Sequence, residues 1–248
     1  MKTAFSLAIP KLALLAVAKF AAKNDIRYYL NAVCIEVGEF ESRLIATNGH
    51  IIGVYRIEDG ANVPCTQSVI IPIGRVNAIE PPTGDGKFGA SIELQVEEPS
   101  GAQRFARFID NDTTTRFPLI DGKFPRYRDL FQIGRPNNKP SAFQMQYLIA
   151  CRDAGKILDG ANKSGCNFTI SHNGDALSLV RFADVGLVVG LMPLRASMDH
   201  LDAAPEWIAD FPQPPIAPGE QVDIEDQLDP FAGSDLARNP ETQPTSKS

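Results

Sequence analysis

A chain of 248 residues, 44% hydrophobic and 22% charged, has the composition of a soluble globular protein with ample core-forming material. A membrane-embedded chain is excluded on this reading, because no stretch reaches the roughly 18 apolar residues that a span needs. The net charge of −6 hides an asymmetry: residues 197–248 hold eleven acids against Arg238 and Lys247, or −9, which leaves +3 on residues 1–196. A mildly basic body with an acidic tail points toward a polyanionic partner.

Residues 2–22 superficially resemble a signal peptide, but Pro10, Lys11 and Lys19 interrupt the apolar run. An amphipathic segment of a cytoplasmic protein fits better. Alternation over 5–9 predicts a short strand, after which Pro10 starts a helix running to about 22. Lys11, Lys19 and Lys23 fall at multiples of four residues and so lie along one stripe. A solvated face and a face turned to a polyanion have the same spacing, and the residues alone leave both open. Residues 25–57 read as a strand over 28–35, a second over 43–46, a tight reversal at Asn48-Gly49 and the start of a third strand. A β-run over 69–73 leads into a short helix over 74–80 that Pro81-Pro82 stops, and strands over 91–96 and 104–109 form a meander. Residues 134–140 look like a linker.

From Phe143 the order repeats: a short strand, a helix over 147–158, then strands over 167–171, 176–182 and 185–191, with a hairpin at Asn173-Gly174. Arg152 and Lys156 again put basic charge on one helix face. The order short strand, helix, several strands therefore appears three times, at about 1–58, 62–132 and 140–196, and predicts an α+β fold of three repeated helix-plus-antiparallel-sheet modules. After residue 196 the periodicity fails, and eight prolines among many acids predict a disordered tail over 197–248. The four cysteines, Cys34, Cys65, Cys151 and Cys166, form no Cys-x-x-Cys pair, so buried thiols in a reducing compartment are expected in place of a zinc site. Three histidines, His50, His172 and His200, sit in no nucleophile, metal or phosphate-loop motif; no cofactor or metal is expected, and the chain does not read as an enzyme.

Three separated blocks carry a resemblance. Asp25-Ile-Arg-Tyr-Tyr-Leu-Asn31 with Ala46-Thr-Asn-Gly-His50, then Leu119-Ile-Asp-Gly-Lys-Phe-Pro-Arg-Tyr-Arg128, then Leu191-Met-Pro-Leu-Arg195 resemble, in order, motifs of the bacterial DNA polymerase III sliding clamp (beta subunit) family. Residues 1–132 resemble the family's second domain, and 140–196 the latter half of its third. The departures are Asn48 for an Asp, Ile51-Ile52 for Arg-Leu and Asp129 for a basic residue. The resemblance implies the DNA clamp fold and a processivity factor that tethers a polymerase or other replication protein to duplex DNA without reading its sequence. It also implies a homo-oligomer and a clamp loader as a further partner. The alternative is a non-encircling regulatory module that binds clamp-interaction peptides or docks on a host clamp.

Carried over by motif position, a hydrophobic peptide groove would be lined by Leu30, Thr47, Gly49, His50, Pro125, Leu130, Met192, Pro193 and Leu194, with Arg195 at its rim. Each of these also has a purely structural reading: core strand, turn residue or turn former. The helices that face DNA would present Lys11, Lys19, Lys23, Arg75, Arg152 and Lys156 to phosphates. In the tail, Gln227, Leu228, Asp229 and Phe231 resemble the clamp-binding peptide pattern, with Pro230 where that pattern has Leu. A five-residue match of this kind also arises by chance in a low-complexity tail. The Ile51-Ile52 pair is expected to make the groove wall more apolar.

Overall fold

A computed structural model describes residues 2–61, 63, 66–84, 87–99, 101, 103–131, 139–159, 167–182 and 186–194, all within one compact unit, Met1–Met198. The expected linker over 134–140 falls mostly outside the described residues, as do Cys65, Cys166, Arg195 and the whole tail over 197–248 with its Gln227, Leu228, Asp229 and Phe231.

Two prolines set the repeat. Strand β1 (Thr3–Pro10) ends on Pro10 and helix α1 (Lys11–Val17) follows at once; strand β5 (Gln67–Pro72) ends on Pro72 and helix α2 (Ile73–Asn77) follows likewise. Both prolines hold an extended backbone, φ −59° and −55°, and lack the N–H that a helix start would leave unpaired. Between them lie β2 (Ala32–Val37), β3 (Ser42–Thr47) and β4 (Ile51–Ile57); after α2 come β6 (Ser91–Glu97), β7 (Phe105–Asp110) and β8 (Thr113–Pro118). The third module supplies α3 (Met145–Asp159), β9 (Phe168–Ser171), β10 (Ser178–Phe182) and β11 (Leu187–Leu191).

The first two modules exchange their leading strands: β1 pairs with β6, and β5 pairs with β2. Every pairing is antiparallel. One sheet has the order β1-β6-β7-β8 and the other β5-β2-β3-β4-β11-β10-β9. Residues from both 1–132 and 140–196 thus share one seven-stranded sheet, joined at the β4–β11 seam. The helices lie over the inner faces, with α1 packed on α3. Phe20, Leu14, Ile9, Ile35, Leu44, Ile51, Ile71, Ile92, Leu94 and Phe117 fill the main core. A smaller cluster of Ala32, Cys34, Ile45, Ile52, Ile70 and Tyr127 lies apart from it, with Tyr29, Ile120, Phe124 and Phe131 packed against it. In β2, Val33 and Ile35 belong to the first cluster, Ala32 and Cys34 to the second, so the alternation marks two buried faces. Burial pushes the Cys34 thiol up to about 12.

Several elements differ from the expected ones. Tyr28–Leu30 is a 3-10 turn, not the start of a strand. The Asn31 side chain accepts the Asp25 N–H (2.9 Å) and donates to the Asp25 carbonyl (2.8 Å), which closes residues 25–31 into a loop that the ladder cannot use. Helix α1 stops at Val17 and tightens into a 3-10 turn, Ala18–Phe20, short of residue 22. Phe143 lies outside any strand, and only the bridge Ala142–Leu194 remains there. Strand β8, Thr-Thr-Thr-Arg-Phe-Pro, was hidden because it has no apolar alternation; its full register with β7 decides it.

Candidate functional site

The reversal between β3 and β4 is built by two side chains. Asn48 Oδ1 accepts the N–H groups of His50 (2.9 Å) and Ile51 (3.1 Å). The Thr47 hydroxyl donates to the Ile51 carbonyl (2.7 Å) and accepts the Gly49 N–H (3.0 Å). Gly49 takes φ +95°, a conformation that side chains rarely adopt, and the Arg27 guanidinium sits 3.2 Å from where a Cβ would project. Arg27 also donates to the Asn48 carbonyl (3.4 Å) and pairs with Asp25 through two hydrogen bonds, Nε–Oδ1 2.9 Å and Nη2–Oδ2 2.7 Å. The bonds from Arg27, from its side chain first, hold the partly buried Asp25 carboxyl down at about 2. The two halves of the first sequence block are therefore linked by Arg27.

The third block meets the first across the seam. Ile51 pairs with Leu191 and Ile52 with Gly190, and just past the ladder the Met192 N–H donates to the His50 carbonyl at 2.9 Å. Leu194 N–H bonds the Ala142 carbonyl at 2.8 Å. Met192 and Leu194 are each 40% exposed, and His50 is exposed with its ring stacked on Tyr147 of α3 at 6.1 Å between centroids. The corner of Thr47, Gly49, His50, Met192, Pro193 and Leu194 is thus assembled from residues 140 positions apart. Leu30 and Thr47 are buried, 1% and 7% exposed, so Thr47 shapes the corner through its hydrogen bonds and neither side chain offers it surface. Ile51 and Ile52 are buried too, 2% and 4% exposed and split between the two clusters, so the expectation that they make the wall more apolar does not hold.

The second block arrives elsewhere on the same sheet. Tyr127 joins the smaller cluster and its hydroxyl donates to Glu36 (2.8 Å), as does Arg128 (2.8 Å). Glu36 stands four rungs along β2 from Ala32, roughly 13 Å at strand spacing. Pro125 and Leu130, both exposed, flank Tyr127 on this part of the sheet, where Tyr29, Phe124 and Phe131 pack against the smaller cluster, and none of the hydrogen bonds of the corner involves either of them. A depression of about 260 Å³ beside them is lined by Glu36, Phe40, Glu41, Arg43 and Arg128 and contains no expected groove residue.

Three contributors escaped sequence reasoning. Tyr147 bears the His50 ring; a stacked partner from a helix a hundred residues away leaves no local signal. Ile26, 97% exposed, and Tyr28, 57% exposed, stand out on either side of Arg27; Tyr28 starts a 3-10 turn in place of the expected strand, and Ile26 lies in the loop before it.

The basic residues divide. Lys11 is buried and its ammonium lies 2.6 Å from Asp110, so its charge is committed within the fold and it leaves the expected DNA-facing stripe. Lys19, Lys23, Arg75 and Lys156 are exposed, and exposed Arg152 pairs with its neighbour Asp153 at 2.8 Å. Among the described residues no group of His, Cys, Asp and Glu is placed to hold a metal, and no helix is long and apolar enough to cross a membrane.

This arrangement has relatives. Residues 11–126 match the model of the DNA polymerase III beta subunit, central domain. This stretch is similar to that domain of the beta-subunit family. The beta sliding clamp of Proteus mirabilis is 34% identical over 108 residues, 43% of this chain and 27% of that one; the Pseudomonas aeruginosa clamp is 29% identical over 155 residues, 61% and 39%. The match therefore spans well under half the length of these relatives. A crystal structure of the Pseudomonas aeruginosa beta subunit superposes with a TM-score of 0.58 at 18% identity, over 78% of this chain and 67% of that one. The beta subunit from Thermotoga maritima superposes at 0.56 and 12% identity, over 79% and 67%. The fold is accordingly the sliding-clamp fold, and it extends beyond the matched domain into the third module.

Proposed function

We propose that this beta-subunit homologue is a binding protein of replication that tethers a polymerase or another replication protein to duplex DNA. The observation that carries the reading is the 2.9 Å bond from Met192 to His50: it seats two distant blocks side by side and leaves exposed apolar groups next to a stacked His–Tyr pair. Exposed Met192 and Leu194 offer adaptable apolar surface for the anchors of a short peptide, and His50 offers a polar group that fixes its direction. Lys19, Lys23, Arg75 and Lys156 supply dispersed positive charge, which holds a phosphate backbone without reading bases.

Fluorescence titration of the full chain with a labelled Gln-Leu-Asp-Leu-Phe peptide tests the corner. Saturable binding is expected, weakened about tenfold by Met192→Asp, a loss of about 1.4 kcal/mol. Binding indifferent to that change removes the assignment. For the DNA face, removing the Lys23 charge reduces the slope of log K against log salt by about one, whereas Lys11→Met leaves it unchanged.

A second reading rests on the topology. The first two modules exchange leading strands, and β9 has no such donated neighbour among the described residues, which supports reading the third module as half of an exchanged pair. This favours a regulatory module that binds clamp-interaction peptides without encircling DNA. Retention on closed circular DNA with release on linearisation selects the encircling tether; release from both selects the module.

A further inference from the structure

Arg104 stands just before β7, where the alternation of the strand assigns it a side. Phe105 and Arg107 lie on the outer face: Phe105 carries the Arg116 guanidinium 3.7 Å above its ring, and Arg107 pairs with Glu97. Ala106 and Phe108 enter the main core, and Arg104 shares their side. The pairing of β7 with β8 continues one step further here, because the Leu119 N–H donates to the Arg104 carbonyl at 2.9 Å, and Leu119 is buried. A guanidinium is thus turned inward at the end of the four-stranded sheet. Its Nε is buried without a hydrogen-bond partner, and among the described residues no carboxylate lies within ion-pair distance of Arg104. Arginine does not shed its proton, and a charge taken from water without a partner is costly.

Arg104 lines a cavity of about 90 Å³ together with the edge of β5 and residues 119–122. The Ile120 N–H donates to the Ile70 carbonyl at 2.9 Å, so Ile70 turns its backbone groups away from β2 and toward this cavity, and Ser68, two residues before, does the same. Among the described residues that is the only backbone bond between β5 and the 119–122 segment, so the N–H groups of Ser68 and Ile70 are not taken by it. The acceptors on the lining are largely occupied. The Arg104 carbonyl takes the Leu119 N–H and the Gln103 side-chain amide (3.1 Å), the Leu119 carbonyl takes the same amide (2.9 Å), and the Asp121 carbonyl takes the Tyr28 hydroxyl (2.9 Å). Asp121, the acidic residue on the lining, is exposed. Donors and one fixed positive charge therefore face a space with room for several heavy atoms, since a single water needs about 10–15 Å³.

We propose that this cavity binds a small tetrahedral oxyanion, phosphate or sulfate as the free ion, held by the Arg104 guanidinium and by the N–H groups of Ser68 and Ile70. Charge-assisted hydrogen bonds of this kind are the strong ones, and an oxyanion accepts from all three donors at once. The donors come from both sheets, Arg104 from the four-stranded one and Ser68 and Ile70 from the seven-stranded one, so the bound ion ties the sheets together and favours the folded chain. The site depends on neither the peptide corner nor the basic residues assigned to DNA, because Arg104 belongs to neither group.

Isothermal titration of the full chain with inorganic phosphate, in chloride at constant ionic strength, is expected to show saturable one-to-one binding that sulfate competes away. The melting temperature is expected to rise with phosphate and not with chloride at equal ionic strength. Arg104→Gln is expected to weaken phosphate binding about tenfold or more with unchanged circular dichroism, since Arg104 has no partner to lose, whereas Arg181→Gln, which removes an exposed charge on β10, is not. Absence of saturable phosphate binding, a melting temperature indifferent to phosphate, unchanged affinity in Arg104→Gln or an equal loss in Arg181→Gln overturns the proposal. Displacement of the bound phosphate by a short DNA duplex also overturns it, because the source would then be a nucleic-acid backbone and not the free ion.

Discussion

Gly53 of β4 is where a single methyl group tests the packing that positions the candidate site. It pairs with Ala46 on one side and Val189 on the other, so it lies on the seam between the first and third modules. A Cβ there would stand 2.1 Å from Phe20 Cδ2 and 2.6 Å from Cε2. Carbon atoms settle at about 3.5–4.0 Å, so the ring must retreat by roughly 1.5 Å. Phe20 is 1% exposed in the same cluster as Leu14, Ala46 and Leu44, and a close-packed core gives it no room. Overpacking of this kind costs typically about 1–3 kcal/mol, and the size of the overlap puts Gly53→Ala near about 3 kcal/mol. For a unit of this size that lowers the melting temperature by about 6–12 °C. Urea unfolding followed by far-ultraviolet circular dichroism measures the loss. The same change in a Phe20→Leu background should cost markedly less, because the shorter side chain vacates the contested space. A loss below about 0.5 kcal/mol, or strict additivity of the two changes, refutes the reasoning.

Two other perturbations address the corner itself. Thr47→Val removes a hydroxyl that both donates to Ile51 and accepts from Gly49, and should cost about 1–2 kcal/mol and speed amide exchange at Gly49, whereas Thr47→Ser should retain both bonds. Asp25 carries a folded pKa of about 2, below its ordinary 3.8, so the help it gives the 25–31 loop is full above pH 3.8 and disappears as pH falls toward 2. Carboxyl NMR should find its midpoint near 2, and Asp25→Asn should abolish the acid-dependent part of the loop's protection.

Much of the local structure was legible because short-range chemistry produces it. Pro10 and the Asn48-Gly49 pair mark their turns by the φ values that they impose or tolerate, and the strands of the meander announce themselves by alternation. The three motif blocks, with their order and spacing, carried the family resemblance and with it the expected corner. Local chemistry also misled at Tyr28–Leu30, where alternation suggested a strand but the Asn31 side chain closes the backbone into a turn. Strand β8 gave no signal, since its threonines alternate in nothing that a sequence displays.

Tertiary structure decided the rest, because it depends on which distant surface covers each residue. Lys11 reads as one of three equivalent lysines on a stripe, yet the approach of Asp110 from β7 buries it and removes it from any partner's reach. Ile51 and Ile52 read as an apolar wall, yet the pairing of β4 with β11 turns them to opposite covered faces. His50 acquires its ring partner from α3 and its neighbour Met192 from beyond β11. Sequence alone determined which residue types stood ready at each turn and strand; the β4–β11 seam determined which of them meet, because a hydrogen-bonded ladder fixes register and face across any separation along the chain.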